Sequence, residues 1–159
     1  MKPGFVLDVG CGIGRNLEHL DGHGVGIDHN ADCVAACVAK GLMAFTPDDF
    51  AASEFAADGR FDSILVAHVL EHMTEADAVR LLRDHLRYIK RGGAVIVITP
   101  QERGQRSDAT HVHLVDPASV RRIADAARLR VEWIRSFPFS PSIGKVFTHN
   151  ETVSLLRRL

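Results

Sequence analysis

The sequence predicts an α/β fold: a mostly parallel sheet with helices on both faces, closed by a C-terminal antiparallel hairpin. Three observations predict it. Apolar residues switch back and forth between strand and helix spacing along the chain. FDSILVA (61–67) and AVIVIT (94–99) are nearly continuous apolar runs, as expected of strands covered on both faces. The closing segments, LRVEWIRSF and KVFTHNETVSLL, alternate over a longer span, as an antiparallel pair does. Right-handed crossovers between the parallel strands then distribute the helices over both faces.

The elements follow in order. FVLDV (5–9) is the first strand, and a helix starts over 15–20. GVGID (24–28) is the second strand. ADCVAACVAK (31–40) is a helix with Val34, Cys37 and Val38 at helical spacing, stopped by Gly41; Cys33 and Cys37 read as core. LMAFT (42–46) is the third strand, with Pro47-Asp48-Asp49 as a turn after it. The fourth strand is 61–67. Thr74 caps a helix that runs to Lys90 and ends at Arg91-Gly92-Gly93. The fifth strand, 94–99, is halted by Pro100, and Pro117 begins a last helix to about Arg128.

A chain of 159 residues, 46% hydrophobic and 25% charged, is expected to form one domain over 1–159. A net charge of −1 gives no bulk attraction to phosphate backbones or anionic lipid, so neither nucleic acid nor membrane is an expected partner. No apolar run approaches a membrane span. Cys11, Cys33 and Cys37 contain no CxxC pair and read as reduced thiols of a cytoplasmic protein.

In such sheets ligands bind beyond the carboxyl ends of the strands. Here the first strand runs into Gly10, Gly12 and Gly14, a G-x-G-x-G spacing behind Asp8. Dinucleotide sites use G-x-G-x-x-G, whose third glycine falls where this chain has Arg15, so a pyrophosphate is disfavoured. Bare backbone N–H groups at a helix start suit a smaller anion, and Asp8 suits a neighbouring cation.

The stretch Asp8 to Gly14 resembles the first motif of class I S-adenosylmethionine-dependent methyltransferases, and three further matches follow in order. GVGIDHN sets Asp28 at the end of strand two. Pro47-Asp48-Asp49-Phe50 follows strand three. FDSILVAHVLEHM (61–73) is similar to the family's fourth-strand motif. The similarity spans residues 4 to 157. It implies a Rossmann-like sheet with strand order 3-2-1-4-5-7-6, S-adenosyl-L-methionine as cofactor and S-adenosyl-L-homocysteine as product. It further implies that N–H groups near Gly10 and Gly12 take the cofactor's carboxylate and that Asp8 favours its ammonium. Cys11 becomes a small residue beside the ligand, and Gly14 completes the motif. Asp28 accepts from both ribose hydroxyls, His29 lies against the adenine, and Phe50 forms an apolar wall. Asp48 or Asp49 accepts from the adenine amino group, while backbone at Ala67, His68 and Val69 lines the methionine arm. Close helix–strand packing is the other reading of Gly10 and Gly14, and a helix N-cap the other reading of Asp28.

The reacting end is read from the histidines, of which the chain has nine. A hydroxyl acceptor needs a base near the point of attack. His111, His113 and His68, in that order, are the candidate catalytic residues. The long polar segment QERGQRSDATHVHLVD carries the first two. His111 and His113 with Asp108 or Asp116 could alternatively hold a divalent metal, although no metal is the favoured reading. Arg103 and Arg106 either grip an anionic acceptor or solvate the loop. This segment, with Ser136-Phe137-Pro138-Phe139 and Phe147-Thr148-His149-Asn150-Glu151, resembles small bacterial family members and suggests O-methylation of a sugar or polysaccharide.

The chain departs from most relatives in reaching its first strand after only Met1-Lys2-Pro3, so their N-terminal helices are expected to be short or missing. An open site would admit a large acceptor or be covered by a partner copy in a homodimer. Two other functions stay open. N-methylation of a small molecule, protein or RNA predicts an Asn/Asp-Pro-Pro-Tyr/Phe motif where Ala67-His68-Val69-Leu70 stands. A non-catalytic binding module is opposed by the intact Asp8, glycines and Asp28.

Overall fold

The computed structural model describes residues 2–159. Its centre is a seven-stranded sheet of order β3-β2-β1-β4-β5-β7-β6. The strands are β1 (Val6–Val9), β2 (Gly24–Ile27), β3 (Ala44–Phe45), β4 (Phe61–Ala67), β5 (Ile89–Pro100), β6 (Leu129–Phe137) and β7 (Glu151–Arg158). β1 to β5 pair in parallel, and β7 lies antiparallel between β5 and β6. The predicted order and the terminal hairpin are therefore the observed ones. All four residues of β1 and of β2 are buried, which is why the two strands read as apolar runs without alternation.

The helices are α1 (Arg15–His19), α2 (Ala31–Ala39), α3 (Pro47–Ala52), α4 (Glu75–Leu86), α5 (Glu102–Gln105) and α6 (Pro117–Ala126). Thr74 caps α4 as predicted, its hydroxyl accepting from the Asp77 amide. Among the described residues no helix is long and apolar enough to cross a membrane.

Four local expectations are corrected. Pro47-Asp48-Asp49 is the first turn of α3, with Thr46 as N-cap and Pro47 at the helix start. α4 stops at Leu86, because Ile89 pairs with Phe61 and draws the following residues into β5 through a bulge. The last strand begins at Glu151, later than expected, because the buried Asn150 is consumed by a polar knot. Its amide donates to Gln101 Oε1 and Ser136 Oγ, both at 2.9 Å, and accepts from the Phe139 N–H. Val38 of α2 is exposed, whereas Cys37 is fully buried and Cys33 is half-buried.

β1, β2 and β4 end on the same edge of the sheet. The chain steps outward from β1 to β2 and β3, then crosses back to β4 on the other side of β1, and the ligand crevice of an α/β sheet opens at that reversal.

Candidate active site

The loop after β1 is shaped by internal hydrogen bonds. The Gly10 and Cys11 amides donate to the Ile27 carbonyl at 2.8 and 3.1 Å. The Gly12 amide donates to Asp28 Oδ2 at 2.8 Å, and the Asn30 amide to Asp28 Oδ1 at 2.9 Å. The expectation that N–H groups of Gly10 and Gly12 stand free for an anion is thus corrected: both are committed within the protein. Asp28 is a clamp on the loop, and the N-cap of α2 is Asn30. Gly14 serves packing, since a Cβ on it would meet Leu42 Cδ1 at 2.6 Å and Cys37 Sγ at 2.9 Å. Gly12, at φ +52°, has nothing within 4 Å of that position and borders open space.

Asp8 lies beneath this loop, fully buried, and neither oxygen of its carboxylate has a hydrogen-bond partner. Burial pushes its carboxyl up to about 7; the neighbouring Asn16 amide opposes that rise and the Asp28 charge adds to it. A buried carboxyl without a partner fits a site that awaits a cation.

Above the loop opens a cleft of about 830 Å³. The glycine loop lines it with Asp28 and His29, as do His68, Val69, His72 and Met73. Phe50 and Tyr88 close one end, their rings edge-on at 5.1 Å. Leu81, Asp84, His85 and Tyr88 belong to α4 and the turn after it, and none was a sequence candidate. Their only sequence signal was the amphipathic spacing of a helix, which does not say which face meets a ligand.

Several sequence candidates lie elsewhere. The Asp49 carboxylate accepts from Thr46 Oγ1 at 2.6 Å as part of the α3 cap, and neither Asp48 nor Asp49 lines the cleft. Cys11 packs with Leu17, Cys37 and Ala44 in a small cluster under the loop, where burial pushes its thiol pKa up. Ala67 is paired in the sheet with Ile98 and does not reach the cleft.

At the far end, His68 adopts φ +57° and stands between two carboxylates. Its Nε2 lies 2.8 Å from Glu151 Oε1, and its Nδ1 lies 3.3 Å from Glu71 Oε1. The Glu151 hydrogen bond, with the Glu71 carboxyl close to the other ring nitrogen, outweighs desolvation and pushes its pKa up to about 9, so it holds its proton at neutral pH. That state makes His68 a poor base, a correction to its candidacy.

The His111 ring is 4.8 Å from that of His72. His111 Nδ1 is 2.9 Å from the Gln105 carbonyl, which can only accept, so Nδ1 carries hydrogen and Nε2 is left without a partner from the loop. His72 Nδ1 is 3.1 Å from Thr110 Oγ1, whose own hydrogen goes to Asp108 Oδ1 at 2.6 Å. His72 therefore donates from Nδ1 as well. His113 does not line the cleft, and both of its ring nitrogens are enclosed without partners. Asp116 caps α6 through the Ser119 amide, so the metal set of His111 and His113 with Asp108 or Asp116 is not assembled.

A family model described as a methyltransferase domain matches residues 2–135. The chain belongs to this methyltransferase family. No curated protein matches it. Among solved structures, this methyltransferase is similar to an S-adenosylmethionine-dependent methyltransferase from Archaeoglobus fulgidus, at 19% identity and TM-score 0.74, over 96% of this chain and 85% of that one. One from Methanosarcina mazei matches at 16% identity and TM-score 0.73, over 100% of this chain and 94% of the other. Magnesium protoporphyrin IX methyltransferase from Synechocystis, solved with bound S-adenosylmethionine, matches at 15% identity and TM-score 0.65, over 99% and 72% of the two chains. At these identities the likeness is one of fold, and the methyltransferase sheet carries its cleft at the topological switch between β1 and β4.

Proposed function

We propose that this methyltransferase moves the methyl group of S-adenosylmethionine to a hydroxyl oxygen of a small molecule or glycan. The cleft is of the size small-molecule sites have. Asp8, buried and unpartnered, suits the cofactor's ammonium. Asp28, already accepting one amide on each oxygen, has lone pairs left for ribose hydroxyls. Phe50 and His29 offer an apolar wall and a planar ring for the adenine.

The observation that carries the hydroxyl assignment is the His72–His111 pair, with Nδ1 of both rings tied to loop oxygens and Nε2 uncommitted. Alignment of acceptor, methyl and sulfur serves any nucleophile. A neutral hydroxyl additionally needs its proton drawn off, and uncommitted imidazole nitrogens beside the acceptor supply the means.

The experiment is to incubate the protein with methyl-labelled cofactor and panels of polyols, sugars, phenols and amines. Label in a methyl ether supports the reading, and label confined to nitrogen overturns it. His111→Ala should bind the cofactor as the parent does and lose turnover by roughly a hundredfold or more, the range general-base removal gives. Full turnover in that variant removes the histidine pair from the reaction.

A further inference from the structure

We infer that Glu71, His72 and His111 form a binding site for a first-row divalent cation beside the cleft, which His72 alone of the three lines. One ligand atom from each of the three lies within 4.8 Å of the other two. Metal–nitrogen and metal–oxygen bonds of about 2.0–2.2 Å bring ligand atoms closer than that, so capture asks only for a small inward shift.

Three independent features single this cluster out from an incidental grouping. First, the Glu71 side chain is wholly buried, and neither carboxylate oxygen has a hydrogen bond. Among the described residues, its ion-pair contact is with His68, Nδ1 at 3.3 Å. Buried side-chain oxygens are ordinarily satisfied, and these two are not satisfied from within the protein. A dication supplies what is lacking.

Second, both imidazoles are oriented as metal-ligating histidines are. His111 donates from Nδ1 to the Gln105 carbonyl, and His72 donates from Nδ1 to Thr110, which is itself fixed by Asp108. Such outer contacts set the tautomer and leave Nε2 basic. Third, the two chain segments are bolted together: the Val112 amide donates to the Glu71 carbonyl at 2.7 Å, holding the His111 loop against the Glu71-His72 turn.

Two imidazoles and one carboxylate select manganese, iron(II), cobalt, nickel or zinc over magnesium or calcium, which prefer all-oxygen shells. Three protein ligands leave positions open. For the catalytic consequence alone, the inference rests on the proposed hydroxyl reading. A hydroxyl bound at an open position is acidified by the ion and gives its proton to solvent water. Its oxygen then forms the new bond to the methyl carbon as the carbon–sulfur bond breaks and the electron pair returns to sulfur, leaving a neutral thioether. The imidazoles then act through the ion and no longer as direct proton acceptors.

The test uses the full chain, stripped with chelator and dialysed, with cobalt(II) added and followed by visible absorption, and with zinc(II) and manganese(II) followed by calorimetry. One equivalent should bind, with a cobalt d–d band. His72→Ala and His111→Ala should each weaken binding at least tenfold, and Thr110→Val should weaken it by about tenfold through loss of the outer contact. His23→Ala, exposed in the turn before β2, should change nothing. Absence of stoichiometric binding, or binding unaltered in both histidine variants, overturns the site. Because cation binding is read without cofactor or acceptor, it fails separately from O-methylation: a bound ion with label only on nitrogen keeps the site and discards the hydroxyl reading.

Discussion

The Gly12 amide donates to Asp28 Oδ2 at 2.8 Å, so the acid that follows β2 fixes the glycine loop that follows β1. Removing that carboxylate strips two amides, Gly12 and Asn30, of their acceptor. Both amides lie near solvent, so Asp28→Ala should cost about 1 kcal/mol of stability, the net worth of such hydrogen bonds. Urea denaturation checks this. Calorimetry with S-adenosylmethionine should show at least tenfold weaker binding, which an unrelated surface substitution would not.

Asp8 sets a pH dependence whose sign is fixed. Its carboxyl titrates near 7 in the folded chain against 3.8 for an unperturbed group. Between those values the folded chain holds a proton that the unfolded chain has lost, so this contribution to stability is full below about 4 and falls away as pH rises through 7. Asp8→Asn should match the parent near pH 4 and be more stable than it at pH 8, by an amount on the order of a few kcal/mol. Melting curves of the ligand-free proteins across that window measure the difference. The same variant should bind the cofactor poorly.

Gly12 and Gly14 should separate affinity from stability. Gly14→Ala drives a Cβ against Leu42 and Cys37 at a φ of +85°, and should destabilise by about 2–3 kcal/mol. Gly12→Ala meets no atom within 4 Å and should lose only about 1 kcal/mol from its positive φ. Its methyl group enters the cleft edge, so the larger effect should appear in cofactor calorimetry.

Asn150 should prove to be scaffold. Asn150→Leu breaks bonds to Gln101, Ser136 and Phe139 at a fully buried position and should cost about 3 kcal/mol or more. The melting temperature should fall while cofactor affinity changes little, since none of these partners lines the cleft.

The sheet was legible because burial writes itself into composition: β1, β2 and β4 are short, largely apolar runs without alternation, and their order was implied by the family resemblance. Asp28 and Gly10 drew notice because each directly follows a strand, and both line the cleft. Asp49 was misread even though Thr46-Pro47-Asp48-Asp49 spells a helix start, with a capping hydroxyl, proline at the first position and an acid three places on. The acceptor end was harder. His111 and His113 are chemically identical and two residues apart, and what separates them is tertiary: the Val112 amide anchored on Glu71 and the Gln105 carbonyl beside His111. Glu71 itself carried no sequence sign of being wholly buried, since a glutamate following a strand reads as solvated.

The thiols of Cys11 and Cys37, shut beneath the glycine loop with their pKa values pushed up by burial, turn the molecule into its own motion detector. An alkylating reagent reaches them only when that loop swings away from β2. Labelling half-times therefore clock the opening directly, and occupancy of the crevice above should lengthen them.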